Sequence, residues 1–233
     1  MRRRSLLAAT AAVPGLWTAA PARAETEPVD VLLVLAVDVS RSIDEDEARL
    51  QREGYRNAVS DPRVVEVIRR GMIGAIGLAY VEWAGFEYQR LVIPWTRVAG
   101  QGDADAWSSA LAEAPRNSLS WTSISGGIDF ARLTLAEAPY EATRRVIDVS
   151  GDGVNNSGRP AETARDEAVA QGIVINGLPI VNDRPTFGRM PSIPLDHYFQ
   201  QNVIGGDGAF MIVAEDFEAF GTAVRRKLIR EIA

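Results

Sequence analysis

Residues 31–37, Val-Leu-Leu-Val-Leu-Ala-Val, contain no polar side chain. A strand with one face in water alternates apolar and polar residues. An unbroken apolar run belongs instead to a strand covered on both faces, as in parallel sheets with helices above and below. The rest of the pattern agrees. The run, read as a strand over residues 30–37, is followed by a helix over 44–59 whose first turn is acidic, as the helix dipole favours, and by a second helix from Pro62 to Gly71. A second strand spans 73–83. Only Ala84-Gly85 separates it from a third over 86–95, too short a link for a crossover, so this third strand runs antiparallel to its neighbour and lies at an edge. Helices over 103–114 and 123–137, a strand over 145–150, a helix over 160–171, a strand over 173–181, a helix over 195–203, a strand over 209–214 and a closing helix over 216–232 follow. Strands alternating with helices of this length predict an α/β, Rossmann-like fold: a mostly parallel central sheet with one antiparallel edge strand and helices on both faces.

In such sheets ligands bind outside the carboxyl ends of the strands, so the loops that follow strands are where function is sought. Asp38, Ser40 and Ser42 leave the apolar strand at alternate positions, and in extended chain such residues point the same way. Two further loops offer the same hard oxygen donors. Thr122 stands just ahead of a helix, and Asp152 lies in a glycine-rich turn directly after a strand. Mg²⁺ prefers near-octahedral oxygen coordination with one or two carboxylates. Asp38, Ser40, Ser42, Thr122 and Asp152 would supply such a set with only two acids, leaving the ion lightly neutralised and in want of an anionic ligand from outside. The plain alternative for the hydroxyls is helix capping, by Ser42 ahead of Asp44 and by Thr122 ahead of its own helix.

These residues carry a resemblance. Asp38-Val39-Ser40-Arg41-Ser42 matches the DxSxS element of von Willebrand factor A-type (vWA) domains, where it forms the metal-ion-dependent adhesion site, or MIDAS. Thr122 resembles that family's second-loop threonine. Ser150-Gly151-Asp152-Gly153 is similar to its third element, usually Thr-Asp-Gly, with Gly151 where the threonine would stand. The resemblance covers nearly the whole chain after the leader and looks closest to an uncharacterised group of secreted bacterial vWA proteins. It implies a single vWA-like domain over residues 25–233, a bound Mg²⁺ or Mn²⁺, and a protein partner whose carboxylate completes the metal shell. It also implies binding without catalysis.

Residues 1–24 read as a signal peptide, with a basic head, a short apolar middle and the small-residue cleavage site Ala22-Arg23-Ala24. Arg3-Arg4-Ser5-Leu6-Leu7 fits the twin-arginine export pattern, the other reading being a basic head for general secretion. The apolar stretch is interrupted by Pro14 and falls short of the ~20 residues a spanning helix needs, so no lasting membrane anchor and a periplasmic or secreted destination are expected. Losing four arginines and no acids takes the formal charge from −6 to −10. That balance argues against nucleic acid and anionic membrane surfaces as partners. The absence of cysteine excludes thiolate metal sites and cysteine nucleophiles.

Rival functions are a Mg²⁺-dependent phosphatase with Asp38 as nucleophile, and a scaffold whose metal site has decayed. Phosphatases of the haloacid-dehalogenase type resemble this fold but carry a second Asp where Ser40 stands. The single lysine, Lys227, sits in the final helix, so an arginine would have to meet the phosphate. A serine hydrolase is weaker, for no GxSxG elbow occurs and His197 is the lone histidine. Asp148–Gly153 imitates the start of an EF-hand loop, but Arg159 stands where the twelfth-position glutamate is required. Trp83 and His197 read as packing residues. Trp121 does too, with an exposed anchor for a partner as its alternative. The loop over 182–194 is the expected source of specificity around the metal.

Overall fold

The computed structural model describes residues 26–181 and 193–233. The expected leader and all but the end of the 182–194 loop lie outside them. A two-residue strand β1 (Glu27–Pro28) precedes the apolar run, which forms β2 (Val31–Asp38), buried along its whole length. Then come α1 (Glu45–Val59), α2 (Pro62–Arg69), β3 (Ile76–Trp83), β4 (Gln89–Val98), α3 (Gln101–Glu113) and α4 (Ile124–Ala136). The second half holds β5 (Tyr140–Glu141), β6 (Arg144–Gly151), α5 (Ala161–Ala170), β7 (Val174–Pro179), α6 (Leu195–Asn202) and α7 (Phe220–Ile232).

Five strands form one sheet in the order β4-β3-β2-β6-β7, parallel except for the β3–β4 hairpin at one edge. β2 is central because its side chains serve two cores. Val31, Leu33, Leu35 and Val37 join the core under α1, α3 and α7, while Leu32, Val34 and Ala36 join the core under α4, α5 and α6. On the first face α1 and α7 cross closely: a Cβ at Gly54 would lie 3.2 Å from the Gly221 Cα and 2.7 Å from the Phe220 ring, so only glycine fits.

Several expected boundaries move for local reasons. β3 begins at Ile76 because the Asp30 carboxylate accepts from the Ile73 and Gly74 amides at 2.9 Å and holds that segment in a turn. β4 begins at Gln89 because Ala84–Tyr88 closes a tight turn, the Ala84 and Tyr88 amides donating to the Tyr88 and Gly85 carbonyls. The hairpin ladder slips near Pro94, which has no N–H to give, in keeping with an edge strand. The strand expected over 209–214 does not form. The segment runs parallel to β7 but pairs only through isolated bridges, Gly177 to Met211 and Ile180 to Ala214. The missing rung falls at Pro179, whose lack of an N–H removes one donor from that ladder. The pairing of β1 with β5 was not expected. His197 is also corrected: it points to solvent on α6, and Phe199 makes the buried contact.

Two buried ion clusters sit beneath the first face. Lys227, fully buried, lies 2.6 Å from Asp148 Oδ1 and 2.5 Å from Glu231 Oε1. Glu82, also fully buried, accepts from Arg52, which donates in addition to the Ala114 and Pro115 carbonyls and so ties the chain after α3 to the sheet. Asp148 is therefore an interior strand residue, far from any calcium-loop geometry.

Candidate functional site

The five residues singled out in the sequence come from three loops, and the fold gathers them at the carboxyl end of the sheet. Asp38 ends β2 and is fully buried, Ser40 is buried two residues on, and Ser42 reaches the solvent side. Thr122, in the loop before α4, and Asp152, just past β6, are buried as well. Their oxygens form a continuous chain: Thr122 Oγ1 donates to Ser40 Oγ at 3.4 Å, Ser40 Oγ and Ser42 Oγ are 2.9 Å apart, and Ser42 Oγ donates to Asp152 Oδ1 at 2.7 Å. Asp38 Oδ1 accepts from the Ser40 amide at 2.7 Å. Asp38 Oδ2 is buried and has no hydrogen-bond partner.

Neither capping alternative describes these hydroxyls. The cap of α1 is Asp44, in a complete capping box with Glu47, and the cap of α4 is Ser123, whose Oγ accepts from the Gly126 amide. Ser42 and Thr122 are thereby left to the oxygen cluster.

Burial pushes the Asp38 carboxyl well above the usual carboxylate range, and the charge of nearby Asp152 pushes it further. The amide and hydroxyl of Ser40 and the amide of Asp152 oppose this without cancelling it. Asp38 and Asp152 thus lie close enough to feel each other's charge. Among the described residues no three His, Cys, Asp or Glu side chains cluster, so a cation at this place would have to draw on hydroxyls.

Close packing under the cluster accounts for the glycines at 127 and 151. Trp83 is fully buried, as expected, and its ring lies beneath the cluster. A Cβ at Gly127 would meet that ring at 2.8 Å, and one at Gly151 would stand 3.0 Å from Asp38 Oδ2 and 3.4 Å from the ring. A side chain at 151 would therefore press first on the Asp38 carboxylate, with the indole closing the space behind it. Gly151→Thr is expected to lower the melting temperature, by about 1 kcal/mol of stability, at the low end for overpacking because the carboxylate can yield. Thermal unfolding without metal checks it.

Asn155 and Asn156, which no motif marks, also build the site. Asn156 Oδ1 accepts from the Thr122 backbone amide at 2.8 Å while the Asn156 backbone N–H donates to the Thr122 carbonyl at 2.8 Å. Asn155 Oδ1 accepts from the Ser125 amide at 3.1 Å. The loop after β6 therefore grips the loop before α4 from both sides of Thr122. The one available signal was two adjacent side-chain amides after a glycine-rich turn. Trp121 overturns the packing expectation: it is 58% exposed and its φ of 75° is the one positive value at a non-glycine among the described residues. Such a conformation costs about 1–3 kcal/mol and gathers at functional sites.

The sheet order, the lone antiparallel edge and the helices on both faces are those of the von Willebrand factor type A fold. Solved structures show the same likeness. Proximal thread matrix protein 1 from the mussel byssus, with a zinc-occupied MIDAS motif, is 16% identical with a TM-score of 0.61, covering 89% of this chain and 47% of that one. Pilus adhesin SpaC from Lactobacillus rhamnosus GG is 14% identical with a TM-score of 0.62 over 89% and 31% of the two chains. A von Willebrand factor type A structure from Catenulispora acidiphila is 15% identical with a TM-score of 0.58 over 88% and 43%. The chain thus spans less than half the length of these structures, and at such identities the likeness concerns the fold. The chain itself belongs to the family described as "Protein of unknown function (DUF1194)", matched over residues 28–233. No curated protein matches it significantly.

Proposed function

We propose that the protein is an exported binding domain that holds a divalent cation, Mg²⁺ or Mn²⁺, through Asp38, Ser40, Ser42, Thr122 and Asp152, and captures an acidic residue of a partner protein through it. The observation that carries this reading is the oxygen cluster around Asp38. In octahedral coordination at 2.0–2.1 Å, neighbouring oxygens lie roughly 3 Å apart. The spacings of 2.9, 2.7 and 3.4 Å among Ser40, Ser42, Asp152 and Thr122 fit that packing. The orphaned Asp38 Oδ2 and the raised carboxyl are what a site looks like when its countercharge is a cation. When bound, the ion supplies a positive centre that two carboxylates leave incompletely neutralised, and this is the feature an incoming carboxylate would recognise. The zinc-occupied motif of the mussel protein and the adhesin character of SpaC support the same reading.

Export rests on residues 1–24 and a single domain over 25–233 on the extent of the family match. Among the described residues no helix is long and apolar enough to cross a membrane. Titration calorimetry with Mg²⁺ and with Mn²⁺, alongside an assay on a generic phosphoester, tests the proposal. One saturable site and no turnover are expected. Absence of binding by either ion favours the decayed scaffold, and metal-dependent hydrolysis favours the phosphatase.

A further inference from the structure

Beside the oxygen cluster lies an open cavity of about 660 Å³, within the size range of ligand sites. Its walls come from the β3–β4 turn and from the residues just ahead of Thr122. Phe86, Leu119 and Trp121 present apolar surface, being 60%, 41% and 58% exposed, and Asn156 and Ser157 present polar atoms. Three observations make it part of the same site. Leu119 bridges to Ser40, and its carbonyl accepts from the Arg41 amide. Asn156, which lines the cavity, also fixes Thr122. Gly85 allows the two walls to close on each other, since a Cβ there would meet the Ser120 carbonyl oxygen at 3.0 Å and the Trp121 Cβ at 3.2 Å. The strained backbone of Trp121 adds a fourth: the fold holds a large indole outward, at a stability cost, on the rim of the cluster.

Charge and the apolar lining together decide what belongs there. Arg41 is exposed between Ser40 and Ser42, and Glu87 is exposed on the cavity wall. A carboxylate is favoured at the cluster and disfavoured beside Glu87, while the exposed faces of Phe86, Leu119 and Trp121 select an apolar group for the cavity. Resting on the metal reading above, we infer that the partner segment is an acidic peptide in which the metal-directed aspartate or glutamate is flanked, within about two residues, by a large aromatic or aliphatic side chain that seats between Phe86, Leu119 and Trp121. Aromatic anchors of this kind carry a disproportionate share of interface energy.

The test is a phage-displayed library of heptapeptides with a fixed central aspartate and random flanks, selected on the purified protein in Mg²⁺. Enrichment of Trp, Phe, Tyr or Leu at one offset from the aspartate is expected, with selection lost in chelator. A synthetic peptide of the selected sequence is expected to bind Phe86→Ala and Trp121→Ala at least about tenfold more weakly, a loss that more Mg²⁺ does not restore. Metal-dependent selection with no apolar preference overturns the inference and leaves the metal reading standing. An apolar preference that survives chelation overturns the metal reading on which it rests. No selection at all, or a dimer that Trp121→Ala dissociates, also overturns it, the latter by giving this face to a second copy of the chain.

Discussion

Lys227→Met is expected to lower folding stability by about 3–5 kcal/mol, as removal of one member of a buried ion pair does. The reason lies in the count of charges. Among the described residues Lys227 is the one cation paired with the two buried acids Asp148 and Glu231, and Glu231 also accepts from the Asn176 side-chain amide at 2.9 Å. Methionine matches the stem of lysine but leaves both acids without a countercharge in a site that excludes water. Urea unfolding of the two proteins measures the loss, and a change below about 1 kcal/mol would show that water reaches the cluster. The same cluster sets a pH dependence. Burial, together with the charge of Glu231, raises the Asp148 carboxyl to about 7 against the pull of Lys227. The folded state therefore holds a proton that the unfolded chain gives up near the usual value of 3.8. Stability from this group is fully present below that pH and is lost as pH rises through about 7. In Asp148→Asn this decline should flatten.

Asp38→Asn should act in opposite directions with and without metal. Without metal, asparagine removes a buried carboxyl whose ionised form is costly and stabilises the chain by about 0.5–2 kcal/mol, the usual gain when a functional group is traded for stability. For a chain of this size each kcal/mol moves the melting temperature by roughly 2–4 °C. With Mg²⁺ at a hundredfold excess over its dissociation constant, the wild type gains about 2.7 kcal/mol and the variant gains nothing, so the order of stability reverses. Melting curves in Mg²⁺ and in chelator make the comparison. A variant that keeps the metal response would take Asp38 out of the site, and one less stable in chelator would mean the carboxyl has a structural partner.

Much of this architecture was legible in the sequence because it depends on local chemistry. A short all-apolar run rich in Val and Leu fits a doubly covered strand, the link after Trp83 is too short for a crossover even at its observed five residues, and alternate positions at a strand end project together, as Asp38, Ser40 and Ser42 do. The placement of Thr122 and Asp152 followed from their loops. What escaped depends on contacts between distant segments. Lysine is ordinarily a surface residue, and nothing near Lys227 announces Asp148, a partner far back in the chain on the central sheet. The roles of Asn155 and Asn156 exist only once the loop before α4 lies against them. Trp121 was misread because periodicity says nothing about a positive φ, and that single torsion turns the ring outward. The strand at 209–214 was misread because the missing donor belongs to its neighbour, Pro179.

The most direct measurement is anomalous diffraction from crystals grown with Mn²⁺. The proposal requires one strong manganese peak at about 2.0–2.3 Å from oxygens of Ser40 and Ser42, with Asp38, Thr122 and Asp152 bonded directly or through water. Crystals that diffract well and show no manganese at that place, or show it elsewhere with these oxygens still bonded only to one another, would contradict it.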